Sequence, residues 1–290
     1  MTLTNFTVLA DGLDHPEGVA WSPKGHLYAG GEAGQVYRIG LDGSVEQVAS
    51  TGGFVLGVAV DGDDNVYLCD AVRAEVLKVS MPGGALTVLS GGTKDVPFRT
   101  PNWVAFAPDG SLYVTDSGVW DENNGLVFKI DASGDSHVWS TQTSAFPNGC
   151  CLSADATSLF VVESTLPGVK EIPIAEDGAA GQAVEVLRLE GEVPDGVAVD
   201  SGGSLYVSCY RPDRIYRFTE EKLEVVAEDP RGTALAAPTN IAFAGPDLDQ
   251  LVVANLGRWH LSIARVPVPG APLLYPKLDQ PPQLVQGDQI

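Results

Sequence analysis

The sequence predicts an all-β fold, a six-bladed β-propeller, on three observations. One phrase recurs six times, each unit carries short strands separated by turns, and the strand missing from the last unit stands at the N-terminus. The phrase is most legible as Thr100-Pro-Asn-Trp-Val-Ala-Phe-Ala-Pro-Asp-Gly-Ser-Leu-Tyr-Val-Thr-Asp116. It is a polar residue after proline, a short apolar run, a turn, a second apolar run and a polar end. Aligned copies set Glu17, Leu56, Asn102, Asn148, Asp195 and Thr239 at equivalent places, spaced by 39, 46, 46, 47 and 44 residues. A fixed period in this range means a solenoid, a propeller or an array.

In the first unit the strands read as 19–22, 26–29, 35–39 and 45–49, punctuated by Pro-Lys-Gly and Asp-Gly. Four strands in each of six units make six blades. After Val252-Val-Ala and residues 260–266 the last unit has no convincing fourth strand. Phe6-Thr-Val-Leu-Ala-Asp-Gly resembles the fourth strands Leu86-Thr-Val-Leu-Ser-Gly-Gly and Leu223-Glu-Val-Val-Ala-Glu-Asp, directly before the first phrase. Residues 5–11 are therefore expected to pair into blade six and close the ring, which protects the sheet edges. Residues 1–278 form one domain on this reading, and 279–290 an irregular tail.

Composition narrows the partners. With 44% hydrophobic residues and no apolar stretch near the roughly 18 residues of a membrane span, the chain is expected to be soluble. The N-terminus has neither a basic start nor an apolar run, so no secretory signal is expected. A net charge of −21, from 17 basic and 38 acidic residues, makes nucleic acid and anionic membrane poor partners. Cys69, Cys150, Cys151 and Cys209 lie in predicted strands without paired-ligand spacing. They read as reduced core residues of a cytoplasmic protein, with Cys150 and Cys151 on opposite faces of one strand.

Blade geometry sorts the polar residues. The start of each innermost strand, the loop between second and third strands, and the link between blades share one face of the ring. Glu17, Asn102, Asn148 and Asp195 then surround the channel mouth, because each opens an innermost strand. On the surrounding loops lie Glu32, Asp70, Asp116 with residues 120–123, Glu163, Tyr210 with Arg211, and Asn255 with His260. Two carboxylates and two carboxamides converging in a narrow tunnel cannot be left bare, since buried unpaired charge is costly. One divalent cation resolves the conflict. An all-oxygen set suits calcium, magnesium or manganese better than zinc or iron. Leu56 and Thr239 leave one side of the ring without strong ligands, where a substrate could approach.

The motifs Pro147-Asn-Gly, Val193-Pro-Asp-Gly-Val-Ala-Val-Asp and Ser204-Leu-Tyr-Val-Ser-Cys-Tyr resemble signatures of the SMP-30/gluconolactonase family, over nearly the whole chain. That resemblance implies a six-bladed propeller hydrolysing sugar lactones with a divalent metal held at Glu17, Asn148 and Asp195. It implies that Asn102 contacts the substrate or the metal's water shell, and that Asp195 is the catalytic base. The arginine that often stands two residues before the asparagine in sugar lactonases is displaced here to Arg99, three residues before Asn102. The same quartet is similar to the calcium site of diisopropyl-fluorophosphatase-type phosphotriesterases, and Val252-Val-Ala-Asn-Leu-Gly-Arg-Trp-His-Leu is similar to a segment of theirs. Strictosidine-synthase-like propellers share the fold without a metal, and the acidic and amide set kept here argues against that branch.

The expected activity is metal-dependent hydrolysis of a small, sugar-derived lactone. The ion polarises the carbonyl while a water beside Asp195, or a hydroxide on the ion, attacks. Arg99, Asn102, Asp116, Glu122 and His260 are the expected substrate contacts. The alternatives are phosphotriester or aryl-ester hydrolysis at the same metal, or a non-enzymatic ligand-binding propeller with a structural ion. Asp61-Gly-Asp-Asp-Asn65 imitates the start of a calcium loop, but Val66 and Val72 occupy the places of its glycine and glutamate, so it reads as a hairpin turn. Alternation with Asn102 points Trp103 away from the channel, into the sheet interface. No nucleophile elbow, His-Glu-x-x-His or phosphate loop is present.

Overall fold

The computed structural model describes residues 6–131, 133–220 and 222–277, and every helix or strand assigned among them is a strand. They form six antiparallel four-stranded sheets. In blade one the strands run Val19–Trp21, Leu27–Gly30, Gln35–Ile39 and Val45–Ser50. The other five innermost strands are Val55–Val60, Pro101–Phe106, Pro147–Leu152, Val193–Val199 and Pro238–Ala244. In the last blade, Thr7–Asp11 pairs antiparallel with His260–Arg265, with Asp11 opposite His260. The N-terminal strand thus closes the ring as the repeat predicts. The tail expected at 279–290 lies outside the described residues.

Packing between blades follows from the second strand of each unit. Its apolar-aromatic step places Tyr28, Tyr67, Tyr113 and Tyr206 in full burial. All four rings meet aromatic side chains edge-on, and two of these contacts join one blade to the next, Tyr67 against Phe106 at 5.0 Å and Tyr206 against Phe243 at 5.3 Å. Burying a tyrosine requires a partner for its hydroxyl. Tyr28 and Tyr67 donate to Asp64 and Asp61 in the turn of residues 61–65. That turn is the predicted hairpin, with Asp61 also accepting the amides of Asp63 and Asn65. All four cysteines are free, and Cys150 and Cys151 pack into different clusters on either side of their strand.

Near the axis, room is scarce. The third position of the phrase is glycine in four blades, and a Cβ there would strike the neighbouring strand. At Gly18 it would lie 1.9 Å from the Leu56 carbonyl oxygen, at Gly57 2.6 Å from that of Asn102, and at Gly149 2.7 Å from that of Asp195. The two blades without this glycine carry Trp103 and Asn240. Trp103 does not follow the strict alternation expected of it. Pairing is irregular between Pro101 and Trp103, and the indole lines the channel, its Cζ3 3.2 Å from a Cβ built on Gly18 of blade one. Beyond it the channel is an apolar chamber of about 200 Å³, walled by residues such as Val58, Val197 and Phe243. Residues 271–275 cross its far end, fixed by the Tyr275 hydroxyl donating to the Trp21 carbonyl at 2.8 Å.

This crowding makes a definite prediction. Gly196→Ala would place a Cβ 2.7 Å from the Thr239 carbonyl oxygen and 2.8 Å from the Asn240 Cα. Thermal denaturation should show a loss of about 1–3 kcal/mol for this variant. Gly83→Ala, where a Cβ meets nothing within 4 Å, should stay within about 0.5 kcal/mol of the parent.

Candidate functional site at the channel mouth

Glu17, Asn102, Asn148 and Asp195 each follow a proline at the start of an innermost strand, and none is more than 6% exposed. Proline fixes the backbone as the chain turns into the strand. The left-handed backbone of the preceding residue sharpens the turn: His15, Phe146 and Ala237 have φ of 42°, 55° and 48°. Such conformations cost of order 1–3 kcal/mol each for residues other than glycine and persist where the surroundings enforce them. Here the surroundings are amide bonds to the second strand's last residue, Ala145 N–H to Glu163 and Ala236 N–H to Asn255, both 2.8 Å.

The side chains converge through specific contacts. Asn148 hydrogen-bonds the Asp195 carboxylate and donates to the Ser164 hydroxyl at 3.2 Å. Ser164 in turn donates to the Pro194 carbonyl at 2.7 Å, fixing the turn before Asp195. Glu17 Oε2 accepts from Asn240 Nδ2 at 3.2 Å. Asn240 Oδ1 lies 3.1 Å and 2.8 Å from Cβ positions built on Gly149 and Gly196, so this amide fills the space those glycines leave. Asn102 Oδ1, Asn148 Oδ1 and Asp195 Oδ1 are buried without a hydrogen-bond partner.

Electrostatics follow from this burial. Desolvation pushes the Glu17 carboxyl well above the usual carboxylate range, and repulsion from Asp195 pushes it further, against the stabilising Asn240 bond. Desolvation also raises Asp195, opposed by the Asn148 amide. Two carboxyls that repel each other, one of them with an oxygen lacking a donor, and two amide oxygens that also lack donors form a set that suits a cation. The fit is good for a hard divalent ion, since every donor is oxygen. A second acidic group, Asp14, His15 and Glu32, gathers on the rim, but it is partly exposed and bonded internally.

The other predicted residues occupy different surroundings. Asp116 uses both oxygens on backbone amides, Arg99 N–H at 2.7 Å, Thr100 N–H at 2.8 Å and Gly118 N–H at 3.1 Å. Asp70, Glu163 and Asn255 make equivalent brackets in their own blades. His260 opens its strand buried, with Nε2 3.1 Å from the Ala234 carbonyl oxygen. Glu122 accepts from Asn124 on an exposed loop, and Arg99 is exposed at the link into blade three. Asn240 is the residue the sequence reading missed. Repeat alignment selects Thr239 in blade six, yet Thr239 Oγ1 donates to the Glu17 main-chain carbonyl at 2.7 Å, and pairing is irregular between Pro238 and Ile241. Blade six is thus not bare at the hub; it supplies Asn240. The available signal was the departure from glycine at this crowded position.

Comparison with known proteins places these observations. Residues 15–256 match the model of the "SMP-30/Gluconolactonase/LRE-like region". A gluconolactonase of Zymomonas mobilis is 25% identical over 185 residues, covering 57% of this chain and 51% of the relative. A strictosidine synthase-like protein of Arabidopsis thaliana is 27% identical over 217 residues, covering 68% and 56%. The chain thus spans little more than half the length of these curated relatives. Among solved structures, a calcium-binding regucalcin from Agrobacterium tumefaciens superposes with a TM-score of 0.79 at 19% identity, over 96% of this chain and 99% of that one, which shows the shared fold. With the family model covering most of its length, the chain belongs to the SMP-30/gluconolactonase/LRE-like family.

Proposed function

We propose that this protein is a divalent-metal-dependent hydrolase that opens small lactones at the channel mouth. The observation that carries the reading is the buried Glu17–Asp195 carboxylate pair, with Asp195 Oδ1 and the Asn102 and Asn148 amide oxygens all buried without partners. The gluconolactonase relative supports the substrate class, and the calcium-binding regucalcin supports a hard ion. Glu17, Asn102, Asn148 and Asp195 are the residues that would hold the ion. Bound there, it would supply a Lewis acid that polarises the lactone carbonyl and stabilises charge on its oxygen.

The chain's own groups do the remaining work. Asp195 takes the proton from the attacking water, its basicity raised by burial and moderated by the Asn148 bond. Ser164 links the Asn148 amide to the Pro194 carbonyl and so ties Asn148 to the turn that delivers Asp195. Asn240 fixes Glu17 from the opposite side, so both carboxylates keep a single rotamer. Asn102 presents an unspent oxygen without adding charge. Arg99, exposed at the link into blade three, stands ready to receive the carboxylate of the opened acid.

Three measurements test this. Elemental analysis of the purified protein should find one divalent ion per chain, and a pH-indicator assay should show lactone opening that chelation abolishes and reloading restores. Asp195→Ala should lower kcat at least about 100-fold with the fold retained by circular dichroism, in line with loss of a general base; unchanged turnover rejects the mechanism.

The acid titration gives the second test. Both carboxyls have folded-state pKa values raised above the unfolded ones, so their favourable contribution is complete below about pH 4 and lost as pH rises through the raised values. Metal-free Asp195→Asn should therefore match the metal-free parent near pH 4 and melt about 5 °C higher by pH 8, where one buried charge has been removed. Added calcium at pH 8 should reverse that order.

The third test concerns Asn240. Asn240→Ala frees Glu17 from its amide partner and should weaken calcium affinity about tenfold, read by isothermal calorimetry. An unchanged affinity would show that the contact positions nothing.

A further inference from the structure

Two tryptophans stand exposed on the mouth face. Trp120 is 47% and Trp259 59% exposed, while Trp21, Trp103 and Trp139 are buried. Each lies in a loop between the second and third strands, of blades three and six. These blades are opposite members of a six-membered ring, so the two loops stand on opposite sides of the mouth.

Neither indole is loose. Trp120 meets the Phe146 ring edge-on at 4.7 Å, and Phe146 is two residues before Asn148. Its loop is tied to blade four by the Ser117 hydroxyl donating to the Pro147 carbonyl at 2.7 Å and by Gly125 N–H donating to the Ser144 carbonyl at 3.0 Å. Trp259 donates its Nε1–H to His15 Nε2 at 2.9 Å, and His15 is two residues before Glu17. That loop is tied by Leu256 N–H to the Ala237 carbonyl and Leu13 N–H to the Trp259 carbonyl. Both partner residues are among those held at positive φ. Each indole is thus braced against the turn that delivers one of the site's polar groups.

The corresponding loops of blades two, three and four expose Val72, Val119 and Leu166. Several polar side chains at this rim are spent: Asp116, Glu163 and Asn255 bracket backbone amides, and Asn124 bonds Val119 N–H and Glu122, while Asp121 and Asn123 stand exposed beside Trp120. A polyhydroxylated ring is held by oriented donors and acceptors, whereas the open side chains braced in place on the loops of blades three and six are the indoles. Preoriented aromatic faces of this kind bind apolar groups at little entropic cost.

We propose that Trp120 and Trp259 form the walls of a subsite for an apolar substituent, so that the lactone opened here carries an alkyl or aryl group in place of a polyhydroxylated chain. The inference rests on the lactone-hydrolase reading. The test uses the calcium-loaded protein and δ-lactones from δ-valerolactone to δ-dodecalactone, with glucono-δ-lactone as the hydroxylated reference. Wild-type kcat/KM should rise about two- to fourfold per methylene over the first additions, carried mainly by KM. Trp120→Ala and Trp259→Ala should flatten that rise, and Trp120→Phe and Trp259→Phe should restore most of it. A flat wild-type series, or a loss in the alanine variants that is equal for glucono-δ-lactone and the alkyl lactones, overturns the proposal.

Quenching of tryptophan emission by 2-hexyltetrahydropyran, which has no carbonyl to open, separates the two readings. Quenching in the wild type that each alanine variant diminishes supports the apolar subsite even where no lactone is turned over, an outcome that rejects only the hydrolase. Absence of quenching overturns the subsite whatever the turnover.

Discussion

Two carboxyl groups, Glu17 and Asp195, are confined at the hub of the ring where water is scarce and where each raises the cost of charging the other. That conflict governs the design. Buried ionised groups without partners are expensive, and the polar atoms around this pair do not supply enough donors. The Asn148 and Asn240 amides relieve part of the cost, one on each carboxylate, and leave Asn148 Oδ1 and Asp195 Oδ1 without donors. Trp103 and the apolar chamber behind it keep the floor dry, which sustains the strong field a polarising site needs.

The propeller and its closure were legible because they depend on repetition. Strand and turn chemistry recur with each phrase, and the resemblance of Phe6-Thr-Val-Leu to other fourth strands identified the closing strand before its partner His260–Arg265 could be seen. The equivalence of Glu17, Asn102, Asn148 and Asp195 was legible for the same reason. What repetition hides is departure from the period. Pairing is irregular at the start of the innermost strand in five blades, just after the proline in four of them, so strict alternation from Asn102 to Trp103, or from Thr239 to Asn240, does not fix which way a side chain goes.

Both residues that alignment misjudged replace the glycine that crowding otherwise imposes. Trp103 reaches toward Gly18 and Asn240 toward Gly149 and Gly196, each occupying volume that small residues in other blades vacate. At Gly18, Gly149 and Gly196 the glycine is therefore half of a pair, with a side chain from another blade using the space, whereas at Gly57 only backbone atoms close in. Asp116, Asp70 and Glu163 illustrate the opposite limit. Their sequence position at the mouth was legible, but their oxygens are consumed in holding the links between blades, a backbone requirement that residue type alone does not reveal.

These links join the fold to the chemistry. Each polar group of the site comes from a different blade, so its position depends on the turn delivering it and on the ring remaining shut. His15, Phe146 and Ala237 adopt costly backbone conformations at three of those turns, and amide brackets and rim aromatics hold them there. The strain is affordable because the interlocked blades bury enough apolar surface to enforce it, with the buried tyrosines packed between sheets. A loop or helix end could gather similar groups, but it would yield to the mutual repulsion of Glu17 and Asp195. In a closed ring, relieving that repulsion by movement requires breaking contacts between blades, so the cheaper response is to take up a proton or a cation, and the architecture itself produces the site's affinity for positive charge.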